Sequence, residues 1–439
     1  MAPSLLNHRT QPPRPHATPL RRLLIAGALT GVVVGGLALS PAQADPISPS
    51  PHRPTSVYRP AEFRMKGKLE ARASTTTFGS SFTGAVVDAA SGRVVWSRNG
   101  TTGLMPASTT KLVTATDALR VFGPSHRFVT SVKRGPSADQ VILVGSGDPT
   151  FSSGQVAALA KTTAATVKAS GRTTVRLYAD DYLFPAPTLA TGWKSTYIPA
   201  DTTWLRALVV DGRQSSDTSI DAARLFAAQL EANGVTATRI GRGRAAVDAP
   251  VIATSAGLTV GQIVTPMLLS SDNEHAEALH RLVAIKAGYG NTWDAARTAQ
   301  TALLQKEGLS ATALYDGSGL SRSGRLSGLQ LARIVANAFE PGNATQLALL
   351  RSDTGLPISG RTGTLTSSMG RFTTPQSKCA VGLVHAKTGT LNDAVALSGW
   401  TVGADGQVKT FAFVVNGRSA TLALKQGLDM LAATVTGCY

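Results

Sequence analysis

The chain has 439 residues, of which 43% are hydrophobic, so it is long enough to bury sizeable cores in two or three domains. Its formal net charge of +17 favours an anionic polymer or a membrane surface as a partner. Nucleic acid is disfavoured as a partner, because aromatic residues make up only 5% of the chain and no helix-turn-helix, zinc-finger or RNA-binding signature is present.

Residues 1–44 are typical of an export signal. Arg21 and Arg22 lead into the uncharged run 23–39, and residues 42–44 (Ala-Gln-Ala) fit a small-residue cleavage site. The alternative is an uncleaved anchor, since the apolar run is nearly long enough to span a bilayer. We therefore expect an exported protein of the periplasm or cell wall, or one held in the membrane if the signal is not cleaved.

The next elements are a linker, a hairpin and a helix. Residues 45–60 hold five prolines and three serines, which is typical of an extended linker. Two β-like runs, 82–88 and 93–97, flank a turn and predict a hairpin. An apolar helix pattern then runs from Pro106 to about Phe122, and proline is common where helices start.

From residue 128 onward, short β-like and helical pieces alternate, and we interpret residues 131–255 as an inserted domain. The pieces of this part are predicted at 128–132, 141–144, 153–169, 175–179, 205–210 and 219–233. The remaining predictions are helices at 258–269, 274–287, 293–306 and 327–339, strands at 380–385, 395–402 and 408–415, and a final helix at 420–435.

Ser108 and Lys111 form the first of three motifs that carry chemistry. Residues three apart on a helix share a face, so Ser108 Oγ and Lys111 Nζ are expected to meet one turn apart. The lysine is then a base for the hydroxyl, and the positive end of the helix dipole favours the alkoxide. Ser-x-x-Lys is common by chance, so an ordinary capped helix is the alternative for this motif alone.

Ser271-Asp272-Asn273 is the second motif, on the predicted turn between two helices. The Ser271 hydroxyl is suited to relaying a proton, and the Asn273 amide is suited to orienting a peptide carbonyl. The alternative for this motif alone is a helix cap, since all three residue types cap well.

The third motif is Lys387-Thr388-Gly389-Thr390 on a predicted strand. Gly389 allows a substrate backbone to approach closely, and Lys387 with the threonine hydroxyls is suited to holding a carboxylate. The backbone N–H groups of Thr390 and Ser108 are candidates for an oxyanion hole. Residues 361–364 (Arg-Thr-Gly-Thr) have nearly the same letters but follow a turn-like segment, so we favour Lys387.

These motifs, in this order, are those of serine β-lactamases and penicillin-binding proteins. The chain resembles the D-alanyl-D-alanine carboxypeptidase/endopeptidase family of class C penicillin-binding proteins over nearly all of its length after residue 44. The resemblance also includes the stretches 84–88, 147–150, 316–322 and 363–365. It implies an α/β (α+β) fold in which a serine β-lactamase/transpeptidase-like domain, an antiparallel sheet flanked by helices, occupies residues 61–130 and 256–439 around the insert.

The resemblance also implies a function. The chain is expected to be a serine D-alanyl-D-alanine carboxypeptidase, with endopeptidase action as a second reaction, on peptidoglycan stem peptides, and to bind β-lactam antibiotics covalently. Ser108 attacks the carbonyl between two D-alanines, Lys111 is the base, and Ser271 passes the proton to the leaving D-alanine. The expected substrate-binding residues are Asn273, Lys387, Thr388, Gly389 and Thr390. Water then releases the acyl-enzyme.

One departure from the family concerns the side-chain amine of the stem peptide. Some members meet this amine with an acid of the inserted domain, just after a strand like 175–179. Residues 184–188 offer no carboxylate here, so we expect weak selectivity for the free amine. Asp180 and Asp181 are the nearest acids that would change this expectation.

Two other functions stay open at this point. A serine β-lactamase is disfavoured by the large insert and by the lack of a recognisable deacylating glutamate loop. A non-catalytic cell-wall-binding protein is disfavoured because all three motifs are intact.

The chain has two cysteines, Cys379 and Cys438, and two thiols in an exported protein more often pair than stay free, so we predict a disulfide. No Cys/His spacing predicts a metal site, and no cofactor is expected. His275, Glu277 and His280 do not have the spacing of a helical zinc motif, and we interpret them as a solvated helix face.

Overall fold

The computed structural model describes residues 60–309 and 313–439. The predicted export signal and residues 45–59 of the predicted linker lie outside the described residues. The helices are α1 (Pro60–Arg72), α2 (Thr75–Phe78), α3 (Lys111–Phe122), α4 (Ser153–Ala169), α5 (Tyr197–Ala200), α6 (Thr218–Ala232), α7 (Val260–Leu269), α8 (Asn273–Lys286), α9 (Trp293–Lys306), α10 (Gly328–Ala336) and α11 (Leu422–Thr436). Among the described residues, none of these helices is long and apolar enough to cross a membrane.

The strands are β1 (Phe82–Asp88), β2 (Val94–Arg98), β3 (Arg127–Arg134), β4 (Gln140–Val144), β5 (Thr174–Asp180), β6 (Thr236–Arg242), β7 (Val251–Thr259), β8 (Val384–Leu391), β9 (Ala394–Val402) and β10 (Val408–Asn416). Short 3₁₀ turns lie at Ala107–Thr110, Asn337–Phe339, Pro341–Asn343, Ala348–Arg351, Gly363–Leu365, Ser367–Met369 and Lys378–Ala380.

The first sheet has the strand order β2-β1-β10-β9-β8, and every neighbouring pair is antiparallel. Its side chains alternate between two cores, as strand geometry requires. On β10, Phe411 and Phe413 face a core shared with α1 and α11, whereas Ala412 and Val414 face the core of α3, α7, α8 and α10. This confirms the predicted antiparallel sheet with helices on both sides.

The second sheet has the strand order β6-β5-β4-β3-β7 and is mixed. β3 pairs antiparallel with β4 and β7, while β4, β5 and β6 run parallel to one another. A separate apolar core joins this sheet to α4 and α6. The sheet is built from residues 127–259, and the predicted bounds of an inserted domain, 131–255, stay a prediction.

Several local predictions were wrong. Residues 205–210 form no strand; the buried Ala207 and Leu208 instead fill two different cores. β8 begins at Val384 rather than at residue 380, because Gly382 has a φ of +80° and breaks the apolar run. β7 was missed and extends to Thr259, which caps α7. Pro60 belongs to α1, a helix that the linker interpretation did not foresee.

Lys409 on β10 is the centre of a buried ionic cluster. Its Nζ lies 2.7 Å from Glu62 of α1, 2.6 Å from Asp88 of β1 and 2.8 Å from Asp405 in the β9–β10 turn. Within the described residues, these three carboxylates are close enough together to hold a metal ion. The Lys409 ammonium contacts all three and so takes the place that a metal ion would need. Arg93 also pairs with Glu62, so α1 is fixed to the sheet by charge as well as by packing.

Candidate active site

Ser108 lies in a 3₁₀ turn directly before α3, not in the α-helix that the sequence predicted from Pro106. The turn is constrained: Ala107 has a left-handed φ of +47°, and Thr109 Oγ1 donates a hydrogen bond to the Pro106 carbonyl at 2.6 Å. Strand β8 approaches closely at Gly389, where a Cβ atom would lie 2.7 Å from that same carbonyl. Ser108 itself is half-exposed and faces a cleft.

Lys111, the first residue of α3, is fully buried beside Ser108. Its Nζ donates to Ser108 Oγ at 3.0 Å, to Asn273 Oδ1 at 2.7 Å and to the Ser318 carbonyl at 2.9 Å. Burial lowers the pKa of Lys111 to about 8, against the opposing effect of nearby carboxylates, of which Glu277 is the largest. A lysine in this state supplies a neutral amine near neutral pH and is suited to act as a general base.

The Ser271–Asn273 motif is both a helix cap and part of the site. Asp272 caps α8, since its carboxylate accepts the His275 N–H, and its neighbours on either side are directed into the site. Ser271 has a left-handed φ of +67°, a strained conformation that places its hydroxyl beside Lys387. Asn273 contacts Lys111 through Oδ1 and donates from Nδ2 to the Asp201 carbonyl at 2.8 Å.

The third motif lies on β8. Lys387 is fully buried, and its Nζ donates to Ser271 Oγ at 2.9 Å and to the Thr388 carbonyl at 2.8 Å. Burial, together with the charge of Lys111, lowers the pKa of Lys387. Thr390 is exposed in the cleft, whereas the Thr388 hydroxyl is hydrogen-bonded at 2.8 Å to that of Thr364, which belongs to the similar stretch 361–364.

The structure therefore brings the three motifs together. Thr390 of the third motif lines the cleft itself, whereas Lys387 contacts the cleft residue Ser271. The roles of Lys387 and Thr388 in holding a carboxylate, and of the Ser108 and Thr390 N–H groups as an oxyanion hole, stay predictions.

An open cleft of about 650 Å³ is lined by Ser108, Ser271, Asn273 and Thr390, whereas Lys111 and Lys387 are buried beside it. The part of its lining that the sequence analysis missed comes largely from the segment between β5 and α6 and from the loops around β8 and α11. These residues are Lys194, Tyr197, Asp201, Leu320, Arg322, Leu391, Asn392, Ser419, Ala420 and Thr421. Arg322 is held by a bidentate ion pair with Asp393, at 2.8 and 2.7 Å.

Residues 184–188 bring no acid to the cleft, and the expected weak selectivity stays a prediction, but an acid that the sequence did not single out does line the cleft. Asp201 is an exposed carboxylate in the wall of the cleft. Phe184 lines a different pocket, together with Asp181, which is paired with Arg206 and Arg242. Asp180 is buried and accepts the Ala245 N–H. Asp201 follows an irregular segment, so no periodic pattern in the sequence placed it.

The interpretation of α8 as a solvated face at Glu277 and His280 was also wrong, because both side chains are buried. Burial lowers the pKa of His280 to about 3, so its ring is neutral. Glu277 accepts the backbone N–H groups of Gly317 and Ser318.

Cys379 and Cys438 form a disulfide that joins the 3₁₀ turn before β8 to the residues after α11, across 59 positions of sequence. It is the covalent link between the end of the chain and the segment that leads into the Lys387 strand.

Comparison with known proteins gives a consistent result. Residues 65–212 and 207–435 match the D-Ala-D-Ala carboxypeptidase 3 (S13) family. A carboxypeptidase of Mycobacterium tuberculosis is 32% identical over 366 residues, which cover 78% of each chain. The D-alanyl-D-alanine carboxypeptidase of Actinomadura sp. (strain R39) is 29% identical over 80% of this chain and 81% of its own. The crystal structure of penicillin binding protein 4 from Haemophilus influenzae has the same fold, with a TM-score of 0.70 at 19% identity over 82% of this chain and 98% of that one.

Proposed function

The chain belongs to the D-Ala-D-Ala carboxypeptidase 3 (S13) family, and we propose that it removes the terminal D-alanine from peptidoglycan stem peptides through an acyl-enzyme on Ser108. The observation that carries this proposal is the 3.0 Å contact between Lys111 Nζ and Ser108 Oγ at the floor of an open cleft. A hydroxyl is a weak nucleophile until a positioned base takes its proton.

Acylation starts when the neutral Lys111 amine accepts the Ser108 proton and Ser108 Oγ forms a bond to the carbonyl carbon between the two D-alanines. The negative charge on the carbonyl oxygen is stabilised by the N–H groups of Ser108 and Thr390. The C–N bond then breaks, and the proton held by Lys111 passes by way of Ser271 to the leaving amine. Water attacks the ester, and Ser108 regains its proton.

The substrate's C-terminal carboxylate is held at the β8 side of the cleft. Thr390 is exposed there, and Lys387 lies behind it with its Nζ on Ser271 Oγ. Lys387 thus keeps the Ser271 hydroxyl in place at the carboxylate end of the cleft. The same chemistry applies to a D-alanyl cross-link between two stem peptides, so endopeptidase action belongs to the proposal.

Asp201 is the acid that meets the side-chain amine of the stem peptide. It is exposed in the cleft wall, and its backbone is fixed because its carbonyl accepts the Asn273 amide. A substrate oriented by Asn273 therefore lies within reach of the Asp201 carboxylate. The strength of this pairing is set by its exposure to solvent.

The place of action proposed is outside the cytoplasm, at the peptidoglycan. Three features support it: the signal-like residues 1–44, the disulfide, and the charge of +17, which suits an anionic wall polymer or membrane surface.

The test is intact mass spectrometry after incubation with penicillin. Wild-type protein should gain one penicilloyl group, Ser108→Ala should gain none, and Lys111→Ala should react about 10²–10⁴-fold more slowly, the range that a positioned base contributes. Release of D-alanine from a D-Ala-D-Ala peptide should follow the same order. An adduct on Ser108→Ala would refute the assignment, and rapid turnover of a chromogenic cephalosporin would favour a β-lactamase.

A further inference from the structure

A loop outside the three motifs lies behind the Ser108–Lys111 pair. Residues 316–321, here the 316–321 loop, are buried against the turn that holds Ser108 and against α8. At Gly319, which has a φ of +82°, a Cβ atom would lie 1.9 Å from the Ala107 carbonyl oxygen. At Gly317 a Cβ atom would lie 2.4 Å from the Ala276 carbonyl oxygen. Both contacts need glycine, so the loop is fitted to these two neighbours.

Two helices hold the loop from opposite sides. From α8, Glu277 accepts the Gly317 N–H at 3.0 Å with one carboxylate oxygen and the Ser318 N–H at 2.7 Å with the other. From α3, Thr114 Oγ1 donates to the Gly317 carbonyl at 2.7 Å. These three hydrogen bonds between side chains and the loop backbone are all buried. A buried polar group without a hydrogen-bond partner destabilises the fold, so each of them matters.

Asp316 closes the loop from within. One of its oxygens accepts the Gly319 N–H at 3.1 Å, and the other accepts the Ser321 N–H at 2.6 Å and the Trp193 indole N–H at 2.7 Å. The Trp193 contact ties the loop to the segment that walls the cleft.

The loop presents one group to the site, the Ser318 carbonyl, 2.9 Å from Lys111 Nζ. A neutral amine has two N–H donors and one lone pair. Of the three partners of Lys111, the Ser318 carbonyl and Asn273 Oδ1 have no proton to give, so they take the two N–H groups. The lone pair is then left for the Ser108 hydroxyl, which has a proton to donate.

We propose that the 316–321 loop orients the catalytic base, and that Glu277 and Thr114 are positioning residues that act through it on the Lys111 amine. This inference rests on the proposed function, since it concerns the same nucleophile. It assigns work to a conspicuous glycine-rich stretch that does not itself carry any of the three motifs.

The charges around Lys111 determine how the test must be read. The charged groups that face Lys111 or its carboxylate neighbours are Asp272 at the N-cap of α8, Glu274, Glu277 and Arg281 on α8, Asp316 in the loop, and Lys387 on β8. Burial raises the pKa of Glu277 to about 8, and Asp316 adds to this effect. Replacing Glu277 therefore changes both the geometry and the charge near the base, whereas replacing Thr114 changes geometry alone.

The first experiment compares Thr114→Val with Thr116→Val. Both threonines are buried in α3, and each donates one hydroxyl hydrogen bond, but Thr116 donates to Leu112 of its own helix. We expect Thr114→Val to lower the rate constant of Ser108 acylation by penicillin about 2- to 10-fold at every pH, the size of one lost neutral hydrogen bond, with little change for Thr116→Val.

The second experiment compares Glu277→Gln with Asp429→Asn. Asp429, on α11, is a buried carboxylate that likewise accepts a backbone N–H, that of Phe372, and it is paired with Arg371. We expect Glu277→Gln to lower the alkaline plateau of the acylation rate about 10- to 100-fold, as for a lost hydrogen bond to a charged group. Its acid limb should shift only slightly to lower pH, because Glu277, with a pKa of about 8, is mostly protonated where Lys111 is charged.

If the loop had only a structural role, all four variants would lose thermal stability while the plateau and the pH profile of their acylation rates stayed at the wild-type values. This result would overturn the inference. If Glu277→Gln fails to fold, the threonine pair decides alone. Failure of the proposed function is distinguishable, because wild-type protein would then form no penicilloyl adduct at Ser108 at all.

Discussion

The depressed pKa of Lys111 leads to a quantitative prediction about the pH dependence of acylation. The reaction needs the neutral amine, and burial lowers the pKa from 10.5 to about 8. At pH 7 a group with a pKa of about 8 is about 9% neutral, whereas an unshifted lysine would be only about 0.03% neutral. Burial of this side chain is therefore expected to increase the available base about 300-fold at neutral pH.

The assay is the second-order rate constant of acylation by a fluorescent penicillin, measured by stopped flow from pH 5.5 to 9.5 under constant ionic strength. Because the amine is charged below its pKa, the rate should fall tenfold per pH unit below about pH 8 and level off above it. Lys111→Ala should lose this limb and react slowly throughout. A wild-type profile that is flat between pH 6 and 9, or a limb that persists in Lys111→Ala, would refute Lys111 as the base.

Three further predictions concern binding and stability. Thr390→Val should raise the activation free energy of acylation by a D-Ala-D-Ala peptide by about 1.5–3 kcal/mol, as for a lost hydrogen bond to a charged group. If wild-type protein cleaved a C-terminally amidated peptide as fast as the free acid, the proposed binding of the C-terminal carboxylate would be wrong. Asp201→Asn should abolish a preference for a free over an acetylated side-chain amine, a preference that we expect to be modest in wild type because Asp201 is exposed; a preference unchanged in the variant would exclude Asp201. Replacing both Cys379 and Cys438 by alanine should lower the free energy of unfolding by about 4 kcal/mol in the chain-entropy model, measured by urea denaturation without reductant, and an unchanged midpoint would contradict it.

The sequence was informative where chemistry is local and elements are regular. Ser108 and Lys111 are three positions apart. Asp272, which lies between Ser271 and Asn273, caps α8. Short-range rules were therefore enough to find both motifs. The strands β9 and β10 and the helices α4 and α9 follow clear apolar patterns, and they were predicted within one or two residues.

The sequence was uninformative where the site depends on irregular backbone. Asp201 and Tyr197 reach the cleft from a segment with little regular structure, and periodicity has no meaning there. The left-handed φ values of Ala107 and Ser271 are imposed by tertiary contacts, since neither residue type favours this conformation. Glu277 was misjudged because its partners are backbone N–H groups of a loop forty residues away, which a helical pattern does not reveal.

The Lys409 cluster has a mechanical consequence. A pulling force applied at Pro60 passes along α1 to Glu62 and from there, through the buried lysine ammonium, to β10 and β1. α1 also packs on β2, the outer strand, whereas the Lys387 strand β8 is the outer strand of the opposite side. Part of a force on Pro60 is thus transmitted directly to β10 and β1, two strands that contribute no residue to the three motifs.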